Sequence, residues 1–252
     1  MKGGEMIETE NDALNIPEIP EIPGATTQEY VYERLRNAIM LGAITPGTSL
    51  TMRGIAERLN LSPTPVREAV RRLSSEHAIQ IKDNRRLTVP LMTLDRFEEL
   101  VALRISVETH AALRALPYIS DIVIGKLTEI DGSMDRFVAE RDSDQLTLMN
   151  QAFHRMLYTV NPAQSSLPMI ESIWLQLGPF QRQVITEVAE YYQIDRHKEV
   201  LAALTLRDGD ALSAAIANDI RDGVLDTGRK LLAAEEGGDA ALSEVWAMPG
   251  AS

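Results

Sequence analysis

The alternation of apolar and polar residues divides the chain into two stretches of different character. In the first, Val31, Leu35, Ala38 and Ile39 recur at helical spacing and Gly42 follows, which predicts a helix over about Thr27–Leu41. The segment ITPGTSL, with Pro46-Gly47 at its turn, reads as a short extended link. Ile55, Ala56 and Leu59 mark the inner face of a second helix near Arg53–Leu59. Asn60 follows where the chain has to turn sharply, and asparagine tolerates the left-handed backbone conformation. Ser62 is placed to cap a third helix, Pro63 suits its first position, and Val66, Val70 and Leu73 form its inner stripe. The run AIQIKDNRRLTVPL then reads as two short strands around Lys82-Asp83-Asn84-Arg85. Helix, link, helix, tight turn, helix and hairpin, in that order, make a winged helix-turn-helix.

After Pro90 the pattern is helical throughout, with predicted segments at about 94–116, 120–140, 143–160, 166–190, 191–206 and 209–233. The breaks fall at Pro117, Asp142–Asp144, Asn161-Pro162 and Asp208-Gly209, and Pro168 and Pro179 begin or bend helices within the array. The expected fold class is therefore mainly α: an N-terminal winged helix-turn-helix followed by an all-α bundle. The expected domains are an acidic, proline-rich mobile tail over 1–25, the winged helix over 26–92, the helical domain over 93–235 and a flexible tail over 236–252.

Charge sharpens this division. The chain carries a net charge of −12, but residues 1–25 hold −5, residues 26–92 hold +4 and residues 93–252 hold −11. A basic module between acidic segments suits local phosphate binding by one part of the molecule only. The absence of cysteine excludes disulfides and thiolate zinc fingers. No apolar run is long enough for a membrane span and the N-terminus lacks the apolar core of a signal peptide, so the expected location is the cytoplasm.

In a helix-turn-helix the second helix enters the major groove and offers its N-terminal residues to base edges. Arg67 lies one turn into that helix, where a guanidinium reaches guanine O6 and N7. Ser62 and Thr64 are placed to donate to phosphate or base, with Arg71 on the outer face. Arg53 is positioned to grip phosphate, and Asn84 and Arg85 in the hairpin to touch the adjacent minor groove or backbone.

The run LNLSPTPVREAVRRL over 59–73 resembles the signature of the GntR family of bacterial regulators, which usually reads Ser-Arg-Thr-Pro-Val-Arg-Glu-Ala; GAITPGTSL over 42–50 resembles the stretch before that family's second helix. The resemblance implies that Arg53, Ser62, Thr64, Arg67 and Asn84 occupy DNA-contacting positions. Pro63 departs from it by replacing the usual arginine with a residue that has no donor. The helical half resembles the FadR-type branch, whose ligand-sensing FCD domain has six or seven helices. LDRFEELVALRISVETHAALRAL resembles its first helix, with Arg104 and Glu108 four residues apart, and NQAFHRML over 150–157 is similar to its Asp-x-x-Phe-His element.

Asn150 and His154 share one helix face at i and i+4, a two-point metal grip. His197 falls on the family's second histidine element and Asp219 where a third histidine usually stands. The ligand set that the resemblance implies is His154, His197, Asp219 and Asn150, suited to Zn²⁺, Ni²⁺, Mn²⁺ or Fe²⁺. A metal-free pocket that holds its effector by hydrogen bonds is the alternative. His77 and His110 read as structural or surface residues. Arg104 is the candidate effector clamp, because a guanidinium inside a helical cavity needs an anion: either Glu108 or a ligand carboxylate.

The expected function is an effector-controlled transcription regulator, a repressor in the first instance. It would act as a homodimer on operator DNA and respond to a small organic acid. Two other classes remain: a metal-dependent enzyme in a helical bundle, and a protein-interaction adaptor with a winged helix. Against an enzyme, the sequence has no HExxH, no glycine-rich phosphate loop and no nucleophile elbow.

Overall fold

The computed structural model describes residues 16–83, 86–188 and 196–234. The chain divides into two compact units, Met1–Leu91 with Trp174–Pro179, and Met92–Ile173 with Phe180–Ser252.

In the first unit, α1 (Thr27–Met40) starts from a capping box: the Thr26 hydroxyl accepts from the Glu29 amide and the Glu29 carboxylate accepts from the Thr26 amide. It buries Val31, Leu35, Ala38 and Ile39, the stripe read from the sequence, and Gly42 just beyond its end has φ 64°. Helix α2 (Met52–Leu59) buries Ile55, Ala56 and Leu59, and Asn60 closes it in the left-handed conformation, φ 55°. Helix α3 (Pro63–Ser75) buries Val66, Val70 and Leu73 and packs on α1 and α2.

The segment expected as a plain link contributes a strand. β1 (Ser49–Leu50) pairs antiparallel with β3 (Leu87–Thr88), which also pairs with β2 (Gln80–Ile81), giving the order β1-β3-β2. Leu50 and Leu87 stand opposite one another, both buried, so the third strand closes the sheet's apolar face.

The proline-rich N-terminal stretch was expected to be a mobile tail throughout, yet its described part is anchored. Ile16 is buried, and the Arg34 guanidinium donates to the carbonyls of Ile16 and Pro17. Two carbonyls left without sheet or helix partners explain the anchoring: extended proline-rich chain makes no internal hydrogen bonds, so its acceptors are open to a neighbouring arginine.

The second unit is all-helical among its described residues: α4 (Leu94–Ala115) with a 3₁₀ turn at Leu116–Tyr118, α5 (Asp121–Glu140), α6 (Ser143–Thr159), α7 (Leu167–Val188, apart from Trp174–Pro179, which counts with the first unit), α8 (Arg196–Leu206) and α9 (Gly209–Ile220). Side-chain oxygens cap the starts. Thr93, Ser120, Asp142 and Asp208 accept from the amides of Arg96, Val123, Gln145 and Ala211. These caps are why the chain breaks where polar residues follow an apolar stripe. The final helix is interrupted, where one continuous segment was expected. A π turn at Arg221–Leu225 follows α9 directly, and helix resumes over 226–234. The residues 191–195 read as the start of the penultimate helix lie outside the described residues, as does Asn84-Arg85.

Phe97 is fully buried and meets Phe180 edge to face, with ring centroids 5.1 Å apart. Phe97→Ala should destabilise the helical unit by about 3–5 kcal/mol, read from urea denaturation of the full chain; a loss below about 1 kcal/mol would show that the aromatic pair is not a centre of this core.

Candidate DNA-contacting surface and ligand site

Ser62 precedes α3 in extended conformation, but its side chain makes no cap hydrogen bond, contrary to the capping role expected for it. The reason lies in the next three residues. A cap hydroxyl accepts from the second or third helical amide, and Pro65 at the third position has none. Prolines at 63 and 65 also remove two of the four open amides that a helix start usually offers. Side chains rather than amides therefore make up the polar surface of this helix start. Ser62, Thr64 and Arg67 are all exposed there.

Arg71 follows one turn later, 73% exposed, with Glu68 3.7 Å away. Arg53 on α2 is 86% exposed and its Nε donates to Glu57 at 2.7 Å. Such exposed pairs lie in high dielectric and open readily when a phosphate competes. Arg72 is differently committed. Its guanidinium stacks 3.6 Å from the centre of the Tyr32 ring and donates to Glu76, which also accepts from the Tyr32 hydroxyl at 2.9 Å. Burial and the Glu76 carboxylate raise the Tyr32 hydroxyl to about 12. This cluster ties the end of α3 to α1 and fixes the helix that carries Arg67. The sequence reading had not found it, because Tyr32 and Glu76 are 44 residues apart.

In the helical unit, α4 packs on α6 and α9, and α8 on α5 and α9. This brings His154 from α6, His197 from α8 and Asp219 from α9 together, with one donor atom of each within 4.8 Å of the others. His154 Nε2 lies 3.1 Å from Asp219 Oδ2, and His197 Nε2 lies 3.7 Å from Asp219 Oδ1. Both histidines are buried and Asp219 is 14% exposed. Among the described residues His154 Nε2 makes no hydrogen bond of ordinary geometry, close as it stands to the carboxylate. Burial alone pushes the Asp219 carboxyl up, but the positive surroundings supplied by His197 and Arg104 outweigh it and hold the group well below the usual carboxylate range.

Outer contacts orient each ring. His154 Nδ1 is 3.2 Å from the Tyr158 hydroxyl, which donates to Glu108 Oε2 at 2.8 Å. His197 Nδ1 faces Asp131 on α5 at 3.8 Å, and the Phe153 ring lies 4.5 Å from the His197 ring centre to centre. Arg104, 3% exposed, donates through Nε to Glu108 Oε1 at 2.5 Å. Of the two counterions open to Arg104 in the sequence, Glu108 is the one the fold supplies. Even so, Arg104 Nη1 is buried and has no hydrogen-bond partner among the described residues. Asn150 sits one turn before His154 on α6, half-buried. His77 and His110 are exposed and outside the cluster. Tyr158 and Asp131 were missed in the sequence. The signal for Tyr158 was its i+4 spacing from His154; for Asp131 there was none.

Two donors bound to one ion at about 2.1 Å stand about 3.0–3.5 Å apart at octahedral or tetrahedral angles. One separation from Asp219, 3.1 Å, falls in that range and the other, 3.7 Å, lies just above it, and two imidazoles with a carboxylate form a common donor set for a first-row divalent metal. A buried carboxylate facing the unbonded nitrogen of one imidazole and the Nε2 of another is also a place where positive charge is favourable. The residues present therefore fit a divalent cation.

A winged helix with an outward-facing second helix, joined in one chain to a helical bundle with a buried polar site, defines a DNA-binding regulator with a sensing domain. The family of bacterial regulatory proteins, gntR family, matches residues 27–89, and the FCD domain matches residues 99–222. The chain belongs to the GntR family and is a transcriptional regulator with an FCD domain. It is 25% identical to the HTH-type transcriptional regulator McbR of Escherichia coli K12, over 75% of this chain and 87% of that protein. It is 26% identical to the HTH-type transcriptional repressor RspR of the same strain, over 79% and 88%. It is also 25% identical to the gluconate operon transcriptional repressor of Bacillus subtilis, over 80% and 86%. The solved structure of E. coli McbR/YncC has the same fold, with a TM-score of 0.75 at 24% identity, covering 82% of this chain and 99% of that one. These relatives are regulators, not enzymes. No helix of the described residues is long and apolar enough to cross a membrane.

Arg104→Ala takes the guanidinium from beside a carboxylate buried with it. The expected cost is about 3–5 kcal/mol of stability, measured by urea denaturation without added ligands. A change under about 1 kcal/mol would mean that Glu108 does not depend on Arg104 for its charge.

Proposed function

We propose that this regulator binds a two-fold operator as a homodimer and represses transcription, with a small organic acid held in the helical unit controlling its fit to DNA. In this reading Arg67 reads a base edge, Ser62 and Thr64 contact phosphate or base at the start of α3, and Arg53 and Arg71 bind phosphates. Asn84 and Arg85, outside the described residues, serve the hairpin tip. His154, His197 and Asp219, with Asn150 as a fourth donor, hold a divalent cation. Arg104 holds the carboxylate of the effector.

The observation that carries the sensing half is the convergence of His154, His197 and Asp219 near a buried arginine whose Nη1 has no partner among the described residues. Arg104 and Asp219 are close enough for each charge to act on the other. A bound cation would offer a coordination position to the same anion that Arg104 attracts. The names of two relatives favour repression, and that of the gluconate repressor favours sugar acids as the first effectors to test. The effector controls DNA binding only as far as it prefers one arrangement of the protein over another.

The DNA-binding half is checked by fluorescence anisotropy on an operator selected from random duplexes by the wild-type protein. Arg67→Ala should weaken binding to that operator about 10- to 100-fold, the value of one bidentate base contact, with little effect on random DNA. Arg71→Ala should weaken both alike and reduce the salt slope by about one. Unchanged operator affinity in Arg67→Ala would contradict the assignment.

A further inference from the structure

The hydrogen bonds around His154 determine more than its position. The Tyr158 hydroxyl has one proton, and that proton points to Glu108 Oε2 at 2.8 Å. A carboxylate already held at its other oxygen by Arg104 is a stronger acceptor than a neutral imidazole nitrogen. At 3.2 Å from His154 Nδ1, the hydroxyl oxygen is left with lone pairs to offer, so the proton in that contact has to come from the ring. The other nitrogen, Nε2, then faces Asp219 with its lone pair at 3.1 Å and, among the described residues, has no hydrogen-bond partner of ordinary geometry. His197 is arranged in the same sense, Nδ1 toward Asp131 and Nε2 toward Asp219. Each imidazole thus turns one nitrogen to an outer acidic residue, directly or through one hydroxyl, and the other to the shared carboxylate.

We infer that Tyr158 is a positioning residue that fixes His154 as its Nδ1–H tautomer and so presents Nε2 to a cation bound with Asp219 and His197. This rests on the cation reading above and adds to it the nitrogen used and the residue that selects it. The chain runs from Arg104 through Glu108 and Tyr158 to His154 without a gap, so the clamp and the ligand share one network. Outer groups that orient a ligating histidine commonly change metal affinity by about 10- to 100-fold when removed.

The experiment uses the full chain stripped by a chelator, with Zn²⁺ alone as probe. Zinc affinity is measured by competition with a chromophoric chelator for the wild type and Tyr158→Phe, and the ring ¹⁵N spectrum of His154 is recorded in the zinc-loaded wild type. The expected results are one zinc per chain, a roughly 10- to 100-fold loss in Tyr158→Phe, and His154 bound through Nε2 with Nδ1 protonated. Zinc held by Tyr158→Phe within twofold of the wild type, or bound through Nδ1, overturns the role of Tyr158 while leaving the cation site in place. A wild type that takes up no zinc overturns the cation reading itself. The ring spectrum needs no variant, so it decides the tautomer even where Tyr158→Phe folds poorly.

Discussion

Asp219 places a carboxylate against two imidazoles in the interior of a helical bundle, 3.1 Å from one and 3.7 Å from the other. Burying charge is expensive unless opposite charge or hydrogen bonds offset it, and here the offsetting charge comes from His197 on α8 and Arg104 on α4. His154 ties α6 to this point and His197 ties α8, while Arg104 adds positive charge from α4. The packing of α4, α6, α8 and α9 and the chemistry of the site are thus one constraint. Helices that met only through apolar side chains would have no reason to gather four ionisable residues in one place.

A similar economy governs the DNA-reading unit. Its helix α3 starts with two prolines in three positions, which removes backbone donors and leaves the preceding serine without a cap hydrogen bond. The side chains of Ser62, Thr64, Arg67 and Arg71 are exposed along it. The opposite end of the same helix is held by the stack of Arg72 on Tyr32 and their common partner Glu76. One end is open to solvent and the other is tied to α1, and the neighbouring arginines at 71 and 72 are divided between an exposed position and that tie.

Much of this was legible in the chain because it rests on local periodicity. The inner stripes of α1, α2 and α3, the turn at Asn60 and the breaks of the helical half follow from residues within a few positions of one another. His154, His197 and Asp219 came from motif likeness, and their convergence depended on helix packing that no spacing specifies. Three features escaped for related reasons. The strand Ser49–Leu50 is made by pairing with residues 87 and 88, the anchoring of Ile16 by an arginine 18 residues away, and the π turn after Asp219 by a change of helical pitch that leaves no compositional trace. Arg104 had two possible anions in the sequence; only three-dimensional packing could show that Glu108 satisfies one nitrogen and that another has no partner among the described residues.

The central claim is that one cation belongs among these three side chains. Anomalous diffraction at the zinc absorption edge, from crystals grown with Zn²⁺, tests it most directly. A single strong peak within bonding distance of His154 Nε2, His197 and an Asp219 oxygen is expected in every chain. Ordered crystals with these three side chains in place and no anomalous density between them would contradict it.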